Sequence, residues 1–174
     1  MFSDPVKIVA QLGIQHGQTV VDLGAGTGFY SFAASPFVGS SGHIYAVDIQ
    51  IDLLRRVKTE AINKNLHNIE IMIANLDLPN STKLRDGSAD WVFLCNLMFM
   101  IKDKDIILKE VSRILKPNGK LLLVDWKESF GGMGPQPQHV FDLVSAKNIT
   151  INNGFNLERE ISAGDHHYGL IFKK

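Results

Sequence analysis

The amino-acid sequence predicts an α/β protein built on a doubly wound, mostly parallel sheet. Three observations carry that expectation. Short aliphatic and β-branched runs alternate with helix-like stretches five times along the chain, the pattern of repeated crossover units. Two of the runs, 89–95 and 120–125, are almost continuously apolar, as strands covered on both faces are. The first run ends in a carboxylate and then places glycines at 24, 26 and 28, the order of strand, tight loop and helix N-terminus that parallel sheets use for nucleotide-type ligands.

Taken in order, Asp4-Pro5 starts a short cover helix over about 4–12, with a capping carboxylate and a proline where its missing N–H costs nothing. Ile8, Val9 and Leu12 give it one apolar face, and Gly13 stops it. The first strand spans about 19–23. A helix follows Gly28 and is expected to end before Pro36. The second strand, 43–48, closes on Asp48. The helix over 51–66 sets Leu54, Val57 and Ala61 on one face with Lys and Arg opposite. A third strand covers 68–74, and 79–87 reads as loop. After the fourth strand, Ile107, Val111, Ile114 and Leu115 repeat at helical spacing, and Pro117-Asn118-Gly119 supplies the turn that ends that helix. The fifth strand spans 120–125. Gly131, Gly132, Gly134, Pro135 and Pro137 mark a lid-like loop over 127–139. A last helix over 140–152 precedes two strands, 155–161 and 167–172, joined as a hairpin through Gly164. No repeat or linker interrupts the chain, so one domain over 1–174 is expected.

Composition narrows the function. Lys+Arg and Asp+Glu both number 18, so no global field draws the chain to nucleic acid or an anionic membrane. A single cysteine, Cys95, excludes an intramolecular disulfide framework and a multi-cysteine zinc site. His139, His166 and His167 lack the Cys or Glu spacing of metal ligands. The opening residues Met1-Phe2-Ser3-Asp4-Pro5 have neither the charged nor the apolar region of a secretory leader, and no apolar run reaches the ~18 residues that span a bilayer. A cytoplasmic protein, monomeric or homodimeric, is expected.

The glycine loop separates ligand classes. A dinucleotide fingerprint G-x-G-x-x-G would put its third glycine where Phe29 stands, and a phosphate loop would need Lys after Gly28. The string DLGAGTG (22–28) instead resembles the first motif of class I S-adenosylmethionine-dependent methyltransferases. Three further landmarks recur in that family's order: Asp48 at the end of strand two, Ala74-Asn75-Leu76-Asp77 after strand three, and Arg113-Ile114-Leu115-Lys116-Pro117-Asn118-Gly119-Lys120-Leu121, which resembles RxLKPGGxL. Asp125-Trp126-Lys127 and Met133-Gly134-Pro135 are similar to the small type-11-like enzymes. The resemblance covers essentially the whole chain. It implies a seven-stranded Rossmann-like sheet of order 3-2-1-4-5-7-6 with strand 7 antiparallel, S-adenosylmethionine as cofactor, and methyl transfer to a small-molecule acceptor.

It also implies site residues. Asp48 would accept both ribose hydroxyls, with Ile49 beside it. Asp22 would support the loop and the cofactor's ammonium group, and Gly24, Ala25, Gly26 and Gly28 would set backbone against the methionine part. Asn75 stands where the family usually has Asp, and keeps an acceptor oxygen for the adenine amino group. Leu76 would donate a backbone N–H, and Asn96 would line the pocket at the end of strand four. Asn96-Leu97-Met98-Phe99 only faintly resembles the N/D-P-P-Y/F motif of amino-group methyltransferases, since both prolines are missing. The acceptor is expected against Trp126, Met98 and His139. No acid–base residue is required, because the sulfonium is already an activated leaving group and the protein supplies position and desolvation. Two alternatives remain open at this point: an NAD(P)-dependent oxidoreductase, and a catalytically silent S-adenosylmethionine-binding module.

Overall fold

The computed structural model describes residues 3–174; Met1 and Phe2, on which the expectation about a leader also rested, lie outside the described residues. The strands are β1 (Thr19–Leu23), β2 (His43–Asp48), β3 (Ile69–Ile73), β4 (Ala89–Cys95), β5 (Leu115–Trp126), β6 (Asn156–Ser162) and β7 (His167–Lys173). The helices are α1 (Pro5–Ala10), α2 (Phe29–Val38), α3 (Ile51–Asn63), α4 (Lys104–Ile114) and α5 (Leu143–Asn152), with one turn of 3₁₀ helix at Pro137–His139. The sheet order is β3-β2-β1-β4-β5-β7-β6. The first five strands pair in parallel, and β7 runs antiparallel to both β5 and β6.

Alternation along each central strand divides the core between two faces. Val21, Leu23, Val92, Leu94, Leu121 and Leu123 point to one face, where Ile107, Leu108 and Val111 of α4 and Ala146 of α5 cover them. Val20, Ile44, Trp91, Phe93, Leu122 and Val124 point to the other, under Ile8 and Val9 of α1 and Ala33, Ala34 and Val38 of α2. Leu54 and Val57 of α3 seat on Ala46 beside them. Asp4, Asp103 and Asp142 cap α1, α4 and α5 with side-chain carboxylates that accept backbone N–H bonds.

Several boundaries differ from the sequence expectation for identifiable reasons. α2 runs through Pro36 and ends at Gly39, whose φ of 68° stops it. Pro36 forfeits one helical N–H, but Asn68 binds the α2 end through the carbonyls of Ser35 and Gly39 and accepts from Ser35 Oγ. α3 ends at Asn63 rather than 66, with Asn65 in a left-handed conformation. α4 passes directly into β5. Leu115 is buried and already pairs with Ala89, and the next pair is Trp91 with Lys120, so Lys116–Gly119 bulges out of the strand instead of ending a helix. α5 begins at Leu143 rather than 140, because Val140 is extended and Asp142 caps the helix through the Val144 and Ser145 N–H groups.

Candidate functional site

The sheet's C-terminal edge opens into a cavity of about 720 Å³ above β1, β2, β4 and β5, within the size range of cofactor sites. The loop after β1 forms its floor. Gly24 takes φ 74° and its backbone lies against Leu97, where an added Cβ would meet the Leu97 side chain at 2.7 Å. Gly24 and Ala25 both donate to the Val47 carbonyl, at 2.8 and 2.9 Å, which ties the loop to β2. Gly26, φ 53°, is uncrowded, with an added Cβ meeting only Gly24 O at 4.0 Å, so this is where a ligand can approach backbone closely. Its N–H donates to Asp48 Oδ2 at 2.9 Å, and Gln50 N–H donates to Asp48 Oδ1 at 2.9 Å. Each carboxylate oxygen keeps a second lone pair for ligand hydroxyls.

Asp22 is buried and accepts a hydrogen bond from Ser31 Oγ at 2.7 Å. Burial pushes its carboxyl up to about 6, against the Ser31 bond that favours the ion and with a smaller contribution from Asp48. Asp125 is fully buried at the end of β5, accepting from Trp126 N–H and Phe99 N–H, and burial likewise raises it to about 6. Cys95 also lines the cavity, but burial followed by Asp22 and Asp125 pushes its thiol well up, so it stays protonated and is unsuited to nucleophilic chemistry.

Asp22, Gly24, Ala25, Gly26, Asp48, Ile49, Asn75, Leu76, Asn96 and Trp126 line this one cavity. Three expected residues do not. Gly28 caps α2, donates its N–H to Ala25 and packs against Val57, where a Cβ would fall 2.9 Å from a methyl carbon, so it serves helix packing. Met98 is completely buried in the hydrophobic core beneath α4 and α5. His139 is exposed in the 3₁₀ turn. Asn75 Oδ1 accepts the Asp77 N–H at 3.1 Å, a side-chain turn that leaves one lone pair of that oxygen. The loop over 127–139 reaches the cavity only through Trp126: Gly134, φ 77°, lies so close to the indole that a Cβ would fall 2.7 Å from a ring carbon.

His167 lines the cavity and was not expected there. Because β7 is antiparallel, its first residue returns to the C-terminal edge and pairs with Trp126. Ser3 and Pro5 also line the cavity, and Ser3 Oγ lies 2.8 Å from Tyr30 Oη, so α1 covers that side. The lining carries Asp22, Asp48 and Asp77 and no Lys or Arg among the described residues. Such a site is electrostatically suited to a cation.

Comparison with known proteins now defines the class. The methyltransferase-domain family profile matches residues 14–163. This chain belongs to that family. It is 28% identical over 143 residues to demethylmenaquinone methyltransferase of Listeria monocytogenes, and 30% identical over 141 residues to the ubiquinone/menaquinone biosynthesis C-methyltransferase UbiE of a Shewanella species. The matches take in 77% and 78% of this chain but only 59% and 52% of those proteins; the chain spans little more than half the length of the curated relatives it matches. A SAM dependent methyltransferase from Aquifex aeolicus superposes with a TM-score of 0.88 at 27% identity, over 99% of this chain and 90% of that one. A putative type 11 methyltransferase from Sulfolobus solfataricus shares the fold, with a TM-score of 0.80 at 24% identity over 100% of this chain and 94% of that one.

Proposed function

We propose that the chain is one catalytic domain that binds S-adenosylmethionine in the cavity over β1 and transfers its S-methyl group to a small acceptor. The observation that carries the reading is the left-handed glycine loop at Gly24 and Gly26, set between Asp22 and Asp48 in a cavity with no Lys or Arg among the described residues. A sulfonium and an ammonium are attracted to such a site, whereas the pyrophosphate of a dinucleotide meets two carboxylates and no counter-charge. The cofactor supplies a methyl group on a leaving group that needs no acid catalyst. Asp48 would hold the ribose through its remaining lone pairs, Asp22 the ammonium, Ala25 and Gly26 the methionine backbone, and Ile49, Asn75 and Leu76 the adenine. Asn96 and Trp126 would face the methyl group. The names of the Listeria and Shewanella relatives support a small-molecule acceptor. No helix among the described residues is long and apolar enough to cross a membrane. We take the enzyme to be cytoplasmic, and monomeric or homodimeric.

Calorimetry tests the reading. S-adenosylmethionine and S-adenosylhomocysteine are expected to bind one-to-one, with no heat from NAD. Binding of NAD without response to S-adenosylmethionine would overturn it. Incubation with methyl-labelled cofactor and a panel of small metabolites then separates an enzyme from a silent binding module, which transfers no label.

A further inference from the structure

The cavity has a polar atom that the cofactor reading leaves unused. His167 is 2% exposed, and neither Nδ1 nor Nε2 has a hydrogen-bond partner among the described residues. Its ring lies against Trp126, with centroids 4.2 Å apart and planes at 42°. An unpaired buried polar group is costly, so a folded chain that keeps one beside a cavity points to a ligand that completes it. Asn96 Oδ1 is buried and unpartnered at the same cavity.

Placement along the sheet says which ligand. Asp48 ends β2 on one side of β1, while Trp126 and His167 stand two and three strands away on the other. Resting on the reading that the cofactor fills the Asp22–Asp48 end, we propose that His167 is the acceptor-recognition residue, its imidazole hydrogen-bonding a hydroxyl or amine of an uncharged acceptor laid against Trp126. Burial, then the charges of His166 and Lys127, lower the imidazole to about 4, so at neutral pH it offers one N–H and one lone pair. A hydroxyl can give a hydrogen bond to the bare nitrogen or take one from the N–H, so it pairs with whichever ring nitrogen faces the cavity. An anionic acceptor does not: Asp22 lines the same cavity, Asp125 lies buried next to Trp126 in β5, and Lys127 and His166 stand outside the lining, with Glu128 2.9 Å from His166 Nδ1. Tyr30 and Phe29 add aromatic wall, which favours a flat apolar body.

The probes are 1-naphthol, 1-methoxynaphthalene and 1-naphthoate, titrated into the full chain with and without S-adenosylhomocysteine. The readouts are the ring resonances of ¹⁵N-labelled His167 and the dissociation constants. Naphthol is expected to move the His167 ring signals and to bind at least fivefold tighter than its methyl ether, with naphthoate weakest. H167F should abolish that discrimination and H167Q restore part of it, while affinity for S-adenosylhomocysteine falls by less than threefold. Unmoved ring signals, equal binding of naphthol by H167F, or a preference for naphthoate would overturn the proposal. The wild-type ring shifts decide the matter even if H167F does not fold. Naphthol engaging His167 in a chain that ignores S-adenosylhomocysteine would uphold the recognition role and sink the cofactor reading instead.

Discussion

Asp48 is the residue on which loop and ligand both depend. The sequence offers it as a ribose acceptor, and the structure adds that it already fastens Gly26 and Gln50 through their N–H groups. Asp48→Ala is therefore expected to weaken cofactor binding by about 1.5–3 kcal/mol and also to lower stability by about 1–2 kcal/mol, as two partly buried donors lose a charged acceptor. Calorimetry and thermal melts check the two parts separately. Asp22 gives a pH signature. With its folded pKa raised from 3.8 to about 6, the folded state retains a proton that the unfolded chain has released, so its contribution to stability is lost as pH rises from about 4 to 6. Cofactor binding has the opposite slope: an ammonium prefers the ionised carboxylate, and affinity should fall as pH drops below 6. A dissociation constant flat between pH 7.5 and 5, or an unchanged slope in Asp22→Asn, would contradict this assignment.

At the scale of elements, the Arg113 motif acts away from the cavity. From the last turn of α4 its guanidinium donates to Glu110, to the Leu84 carbonyl at 2.6 Å and to Asp86 at 2.6 Å, while Thr82 donates to the buried Glu110. This clamps the segment between β3 and β4 onto α4. Burial raises the Glu110 carboxyl, but the bonds from Arg113 and Thr82 outweigh it and hold the group below its ordinary value. The stabilisation is thus present above about pH 4.5 and is lost on acidification through the lowered pKa. Arg113→Ala leaves a buried carboxylate uncompensated and should cost about 3 kcal/mol. Urea unfolding measures that loss; a variant as stable as wild type would remove the clamp from the account. The motif's order was legible in the sequence because α4 and β5 are adjacent in the chain. Its partners in the 82–86 loop were not, since they come from 27 to 31 residues upstream and no spacing rule links them.

For the molecule as a whole, strand count and the glycine loop could be read from sequence because hydrophobic period and turn chemistry are local properties, whereas the strand order followed only from the resemblance to class I methyltransferases. The Lys116–Gly119 bulge escaped notice because Pro-Asn-Gly carries the same signal in a bulge as at a helix end. His167 escaped because only the reversed β7 brings it to Trp126, 41 positions earlier in the sequence. Ligand binding should stabilise the fold as a unit. At one hundred times its dissociation constant S-adenosylhomocysteine adds about 2.7 kcal/mol, a rise of about 5–10 °C in Tm for a chain of this size. A melt unmoved by saturating ligand would mean that the folded chain does not bind it.

The cover formed by α1 also has a practical side. Ser3 and Pro5 stand at the cavity rim, whereas Lys174 donates to Gly119 O at 3.0 Å and to Leu115 O at the opposite edge of the sheet. The two ends of the described chain therefore leave the protein from opposite poles. Anything fused ahead of Ser3 emerges beside the ligand's doorway, and anything fused after Lys174 emerges as far from it as the sheet allows. Surface capture through the C-terminal end should leave the association rate of S-adenosylhomocysteine unchanged, while a bulky N-terminal partner should slow it. The same polarity makes position 3 a place for a fluorophore that reports the filling of the cavity.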